Sequence, residues 1–61
     1  MDGEIIWFDK TRGYGFIEPD NDGDDIFFSA PDASFQGRPG DRVSFRVAGG
    51  PLGPEAVDVE T

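Results

Sequence analysis

The sequence predicts an all-β fold, a single domain over residues 1–61 in which five short antiparallel strands close into a barrel. Its apolar segments are short and are separated by Gly, Pro, Asn and Asp, which is typical of strands and turns. No stretch repeats apolar residues at the helical period, and the chain contains 9 Gly and 5 Pro. Closing five strands into a barrel removes the unpaired sheet edges that so small a domain would otherwise expose.

Alternation and turn residues predict the strands in order at 4–9, 14–18, 25–29, 43–47 and 56–59. The Asn-Asp-Gly sequence at 21–23 favours positive φ, so the second and third strands form a hairpin. The Gly-Gly-Pro sequence at 49–51 predicts the turn between the last two strands, and 31–40 is a longer loop. Alternation directs these side chains into the core: Ile5, Phe8, Ile17, Ile26, Phe28, Val43, Phe45, Val47, Val57 and Val59.

Composition excludes several classes of function. The chain has no Cys and no His, which removes disulfides, thiolate metal sites and the commonest general base. Nothing in it resembles a signal peptide or a membrane span, so we expect a cytoplasmic protein that needs no cofactor. Thirteen acidic residues against five basic ones give a net charge of −8, which by itself argues against a nucleic-acid partner. This charge also favours disorder, but the eight aromatic residues in short strand-like runs favour a folded core.

The second predicted strand presents aromatic rings to solvent. Because side chains alternate along a strand, Tyr14 and Phe16 point away from the face that carries Ile17. Exposed neighbouring rings are a surface on which bases stack, and the glycines beside them would let bases approach the backbone. Arg12, just before this strand, could contact a phosphate or stack on a base.

The same alternation extends this surface to other segments. In the third strand Phe27 and Ser29 face outward, and hairpin pairing would bring Phe27 near Phe16. Regular alternation puts Trp7 on the same face as Ile5, which points into the core. Trp7 therefore reaches the outer face only if the first strand contains a bend or bulge. The predicted nucleic-acid-binding residues are Trp7, Arg12, Tyr14, Phe16, Phe27 and Ser29, with Phe35 reaching in from its loop.

These segments resemble the cold-shock domain family. The match covers the opening strand at 3–9, an RNP1-like motif at 12–17, the start of RNP2 at 25–28 and the closing Gly-Pro-x-Ala-x-x-Val at 53–59. The resemblance implies an OB-type barrel that binds single-stranded RNA or DNA with little sequence preference, as an RNA chaperone or cold-shock regulator. RRM domains share the RNP1 motif, but they are larger α/β folds.

Three positions depart from the family pattern in the same direction. Ile6 stands where bacterial members usually have lysine, Ser29 replaces a histidine and Leu52 replaces an arginine. The stacking residues are thus kept while basic residues are lost. Abundant Asp and a single Lys indicate a halophile-like variant, whose repulsion from phosphates would be screened in concentrated salt.

Other functions remain open at this point. A barrel that has lost nucleic-acid binding could use its aromatic face for a protein partner. The acidic residues at 18–24 begin like a calcium loop, but position 29 is Ser rather than the bidentate Glu, so a solvated turn is favoured. Asp24 and Asp25 point to opposite faces of a strand and have no nucleophile nearby, so we expect no enzyme. We expect a monomer, with the 31–40 loop as a hinge for domain swapping.

Overall fold

The computed structural model describes residues 1–30, 35–51 and 53–61, whose strands form a closed barrel in the order β1-β2-β3-β5-β4. The strands are β1 (Asp2–Asp9), β2 (Tyr14–Pro19), β3 (Ile26–Ser29), β4 (Arg42–Gly50) and β5 (Gly53–Glu60). β4 returns to β1 and closes the barrel. None of the described residues forms a helix, and hence none forms a helix that could cross a membrane.

The predicted all-β barrel is confirmed, with one difference in strand direction. Four of the pairings are antiparallel, whereas β3 and β5 run parallel. A ring with an odd number of strands cannot alternate direction all the way round, so a five-stranded barrel must contain at least one parallel pair. The parallel ladder is short, consisting of the partners Phe27 with Glu55 and Phe28 with Ala56.

The last hairpin is tighter than the sequence predicted. Both glycines of the predicted 49–51 turn belong to β4, and Gly50 pairs with Gly53. The two strands therefore continue to the residues that flank positions 51 and 52. Residues 31–34 of the predicted 31–40 loop, which is also the proposed hinge, lie outside the described residues.

A bulge in β1 brings Trp7 to the outer face, as the sequence required. Ile5 pairs with Ile17, but the next partner of β2, Phe16, pairs with Trp7 rather than Ile6. The extra residue shifts the alternation, since Ile5 is fully buried while Ile6 and Trp7 are 38% and 43% exposed. The expected bulge is therefore confirmed.

The barrel interior holds one apolar cluster contributed by all five strands. Its buried members are Ile5, Ile17, Ile26, Phe28, Val43, Phe45, Ala56 and Val59, and Phe8 and Phe35 pack against them half-buried. Placing Val47 in this core was wrong, because its side chain is 43% exposed. The pairing of β4 with β1 ends at Ser44, the partner of Asp2, which is the first residue of β1. β1 therefore does not extend far enough to cover Val47.

A second bulge, in β5, changes which of its residues face inward. Ser44 pairs with Glu60, yet Arg46 pairs with Val57, so β5 contains one more residue than β4 over this span. Asp58 lies at the irregularity with a left-handed φ of 54°. Because of the extra residue, the buried pair is Ala56 and Val59, and the prediction that Val57 shares the inner face with Val59 was wrong.

Candidate nucleic-acid interface

Four aromatic rings form a continuous surface on the outer face of β1, β2 and β3. We call Trp7, Tyr14, Phe16 and Phe27 the aromatic platform. The ring centroid of Trp7 lies 5.3 Å from Tyr14 and 6.1 Å from Phe16. Phe27 lies 5.8 Å from Tyr14 and 6.1 Å from Phe16. Each ring thus lies next to two others in a closed circuit, and the predicted proximity of Phe27 to Phe16 is confirmed.

Strand register produces this arrangement. Phe16 is the Cα partner of Trp7 on one side and of Phe27 on the other, so three rings lie in one row across the sheet. Tyr14 is two residues from Phe16 and therefore on the same face. Trp7 is exposed, and the other three rings are half-buried against one another. Strand pairing therefore fixes the positions of these rings relative to one another.

Gly15 lies on the inner face of β2, opposite to the face that carries the aromatic platform. A Cβ at this position would clash with the backbone carbonyl of Trp7 and lie 2.9 Å from the Phe28 ring. Gly15 is buried, since it occupies the inward position between Tyr14 and Phe16. The expectation that this glycine gives bases access to the backbone was therefore wrong, and close packing of β1 on β2 explains it.

Arg12 and Ser29 lie beside the Tyr14 end of the platform. Ser29 is exposed and is the Cα partner of Tyr14. The side chain of Arg12 is 74% exposed, and its Nε lies 3.8 Å from a carboxylate oxygen of Asp9. Asp9 also accepts hydrogen bonds from the backbone N–H groups of Thr11 and Arg12, which shapes the turn after β1. Both predicted polar residues are thus available to solvent near the rings.

The structure does not place Phe35 with the platform. Its ring makes edge contacts with Phe8 and Phe28, at centroid distances of 5.5 and 5.9 Å. It also covers Gly37, where any added side chain would clash with the Phe35 ring and with Ile5. The expectation that Phe35 reaches toward the four rings was therefore wrong, because the missing side chain at Gly37 leaves a space in the barrel end that the ring fills.

The charges around the platform are unevenly distributed. A cleft beside Phe16 and Phe27 is lined by Asp24 and Asp25 and continues to Val47. No charged side chain is buried among the described residues, so the acidic groups face solvent. Electrostatic repulsion from such surface charges is the kind that dissolved salt screens.

Three of the arginines are neutralised by carboxylates. Arg12 pairs with Asp9, Arg42 donates two hydrogen bonds to Asp20, and Arg46 donates from Nε to Asp58 at 2.8 Å. The hydrogen bonds from Arg42 lower the pKa of the Asp20 carboxyl below its ordinary value of 3.8. These pairs are exposed and link neighbouring segments of the barrel surface.

The acidic turn shows no sign of a metal site. Among the described residues, no three carboxylates are grouped so that they could share an ion. Asn21 instead accepts a hydrogen bond from the N–H of Gly23, and Asp22 has a left-handed φ of 61°. These are the features of a tight polar turn.

Comparison with known proteins agrees with this geometry. The family model described as the 'cold-shock' DNA-binding domain matches residues 1–61. The chain belongs to this family. It is 41% identical over 63 residues to the cold shock-like protein CspA of Vibrio cholerae, covering 97% of this chain and 90% of that protein. The cold shock protein CspV of the same species is 40% identical with the same coverage, and the cold shock-like protein CspC of Bacillus cereus is 41% identical over 97% of this chain and 95% of its own.

Family membership confirms the resemblance seen in the motifs, and the structure locates two of the three departures from the pattern. Ile6 is the bulged residue next to Trp7, and Ser29 lies next to Tyr14. Leu52 lies outside the described residues.

Sequence reasoning missed a second cleft at the end of β1. This cleft, of about 350 Å³, is lined by Phe8, Lys10, Gln36, Gly37, Arg38 and Pro39. Two of the five basic residues of the chain line it. Lys10 and Arg38 are 28 positions apart and belong to no common motif, so no local pattern brings them together.

Proposed function

We propose that this cold-shock domain binds single-stranded RNA or DNA by stacking bases on the aromatic platform, with little sequence preference. In the cell it would act as an RNA chaperone or a cold-shock regulator of transcription or translation. The observation that carries the proposal is the closed circuit of four solvent-facing rings on adjacent strands. We propose that it acts as a monomer in the cytoplasm, with Arg12 and Ser29 assisting at the Tyr14 end.

Stacking energies make this mechanism sufficient without a broad basic groove. Base–aromatic stacking is worth about 1–3 kcal/mol per base, so three stacked bases contribute roughly 3–9 kcal/mol. Micromolar affinity corresponds to about 8 kcal/mol. Stacking also tolerates any base, because every base presents a π-face, which accounts for low sequence preference.

The net charge of −8 leads to an unusual salt dependence. A basic nucleic-acid binder loses affinity as salt rises, because its cations release counterions from the phosphates. Here the phosphates are repelled by a predominantly acidic surface, and at about 1 M salt the Debye length falls to roughly 3 Å. We therefore expect affinity that stays level or rises with salt, the behaviour of a halophile-like variant.

Quenching of Trp7 fluorescence by an oligothymidine or oligouridine tests the proposal directly. Titrations at about 0.15 M and about 2 M salt should both saturate, with the affinity at high salt equal or greater. Phe16→Ala should weaken binding by roughly 5- to 150-fold, the equivalent of one stacked base. A steep loss of affinity between about 0.1 and 1 M salt would refute the salt mechanism while leaving stacking intact.

Phe16→Leu separates base stacking from a general apolar contact. Leucine keeps an apolar side chain on the outer face but presents no ring to a base, so it should weaken oligonucleotide binding nearly as much as alanine. A protein partner that recognises an apolar patch would tolerate leucine. Absence of quenching by any oligonucleotide at either salt, with the folded state verified by circular dichroism, would favour that protein-binding alternative.

A further inference from the structure

Among the described residues, Lys10 and Arg38 are the two basic side chains that are not paired with a carboxylate. Within the described ranges, neither side chain lies within ion-pair distance of a carboxylate, whereas Arg12, Arg42 and Arg46 each do. The two carboxylates nearest along the chain are engaged elsewhere. Asp9 accepts hydrogen bonds from two backbone N–H groups, and Asp41 accepts one from the backbone N–H of Arg38.

Both cations line the same cleft, which we call the basic cleft. Phe8, Gly37 and Pro39 form much of its wall, and the exposed amide of Gln36 adds a polar group. Two cationic residues line this cleft on a protein that is otherwise strongly acidic. This juxtaposition favours an anionic occupant, since two cationic groups attract an anion and repel a cation.

The basic cleft and the aromatic platform are both built in part by the end of β1. Trp7 and Phe8 are consecutive in β1, with Trp7 on the platform and Phe8 lining the cleft. Lys10 follows Asp9, which is the Cα partner of the platform residue Tyr14. The opposite side of the platform, beside Phe16 and Phe27, is lined by Asp24 and Asp25 and would repel phosphates. The charges therefore direct a bound strand toward the end of β1.

We propose that the basic cleft binds a phosphodiester group of the nucleic-acid strand whose bases stack on the aromatic platform. The proposal rests on the proposed function. Lysine supplies a compact charge and arginine a planar pair of donors, and both are suited to phosphate oxygens. A chain that covers only the platform would not reach the cleft, whereas a longer chain would continue round the end of β1 and gain these two contacts.

The test compares the double variant Lys10→Gln/Arg38→Gln with the matched control Arg42→Gln/Arg46→Gln. Both change the net charge from −8 by the same two units, but the control removes arginines that are already paired with carboxylates. Trp7 quenching is titrated with oligothymidines of about 4 and about 12 nucleotides, within the range of site sizes of OB folds. Each titration is repeated over a series of salt concentrations.

Loss of two phosphate contacts has a defined signature. For single strands the slope of log K against log salt changes by about 0.7 per contact, so the cleft variant should shift the slope for the longer oligonucleotide by about +1.4. Its affinity for that oligonucleotide near 0.1 M salt should fall by several-fold, and its affinity for the shorter one should change no more than in the control. Equal slopes in the two double variants would overturn the inference.

Failure of the inference and failure of the proposed function give different results. If the unmodified protein quenches with neither oligonucleotide at any salt, the platform does not bind bases and both proposals fall. If it binds both oligonucleotides and the cleft variant keeps its slope, stacking stands and the cleft assignment falls. Circular dichroism of both double variants verifies that the comparison is made between folded proteins.

Discussion

Phe35→Ala tests whether this ring serves the core or the nucleic acid. Truncating a buried phenylalanine to alanine costs about 3–5 kcal/mol. Phe35 is half-buried, so only part of this cost applies. The substitution also removes two edge contacts, with Phe8 and with the fully buried Phe28, each worth about 0.5–1.5 kcal/mol. We therefore expect the free energy of unfolding to fall by about 2–3 kcal/mol, a large loss because the core of so small a domain rarely supplies more than about 3–5 kcal/mol.

Urea unfolding followed by Trp7 fluorescence and by far-ultraviolet circular dichroism measures this loss. Concentrated salt should be present throughout, because repulsion among the acidic groups destabilises the compact state. Oligonucleotide affinity is then measured under conditions where the variant is folded, and it should lie within about twofold of the unmodified protein, well below the tenfold that about 1.4 kcal/mol represents. Phe27→Ala, from the platform, is the matched control and should weaken binding by at least fivefold.

A particular pair of results would refute this reasoning. If Phe35→Ala unfolds at the same urea concentration as the unmodified protein but binds oligonucleotides as weakly as Phe27→Ala, Phe35 contacts bases and its packing against Phe28 contributes little. Loss of both stability and affinity in the folded variant would mean that the ring serves both purposes. Only the loss of stability alone agrees with the contacts observed.

Three further predictions concern the strands and their charges. Gly15→Ala should cost about 1–3 kcal/mol of unfolding free energy, because a methyl group there meets a backbone carbonyl of β1, whereas Gly49→Ala, with open space around it, should be nearly neutral by urea unfolding. Asp58 has a left-handed φ of 54°, so Asp58→Val should lower the melting temperature and Asp58→Gly should not. Asp20→Asn should reduce stability at neutral pH, because it removes the ion pair with Arg42. In acid titrations the difference in stability between the variant and the unmodified protein should vanish as the pH falls through the lowered pKa of Asp20, below 3.8, since protonation of Asp20 breaks the same ion pair.

The strands and the aromatic platform could be predicted from local pattern. Alternation assigned opposite faces to Phe27 and Phe28 correctly, because β3 is short and regular. It also revealed that Trp7 required a bulge, since a ring beside Ile5 in an unbroken strand would have to be buried. Where a strand is regular, the two-residue period is a geometric property of the backbone, and the face of each side chain follows from it.

Local pattern was misleading where distant segments decided the outcome. The bulge at Asp58 exists because β5 must match β4 over an unequal number of residues, and this reversed the expected roles of Ala56 and Val57. Val47 continues the alternation of β4 but extends beyond the strand that would cover it. Gly15 was interpreted as an opening for bases, although the space that its side chain would occupy is filled by the backbone of β1 and by the Phe28 ring.

Sequence alone determined that this chain is a small all-β barrel with an outward row of aromatic rings, because both follow from the order of apolar and turn residues along the strands. Tertiary structure alone decided that Phe35 completes the core over Gly37, and that Lys10 and Arg38 share a cleft. The physical reason is sequence separation. Alternation relates neighbours in one strand, whereas packing at the barrel end depends on how loops from separate parts of the chain meet when the barrel closes.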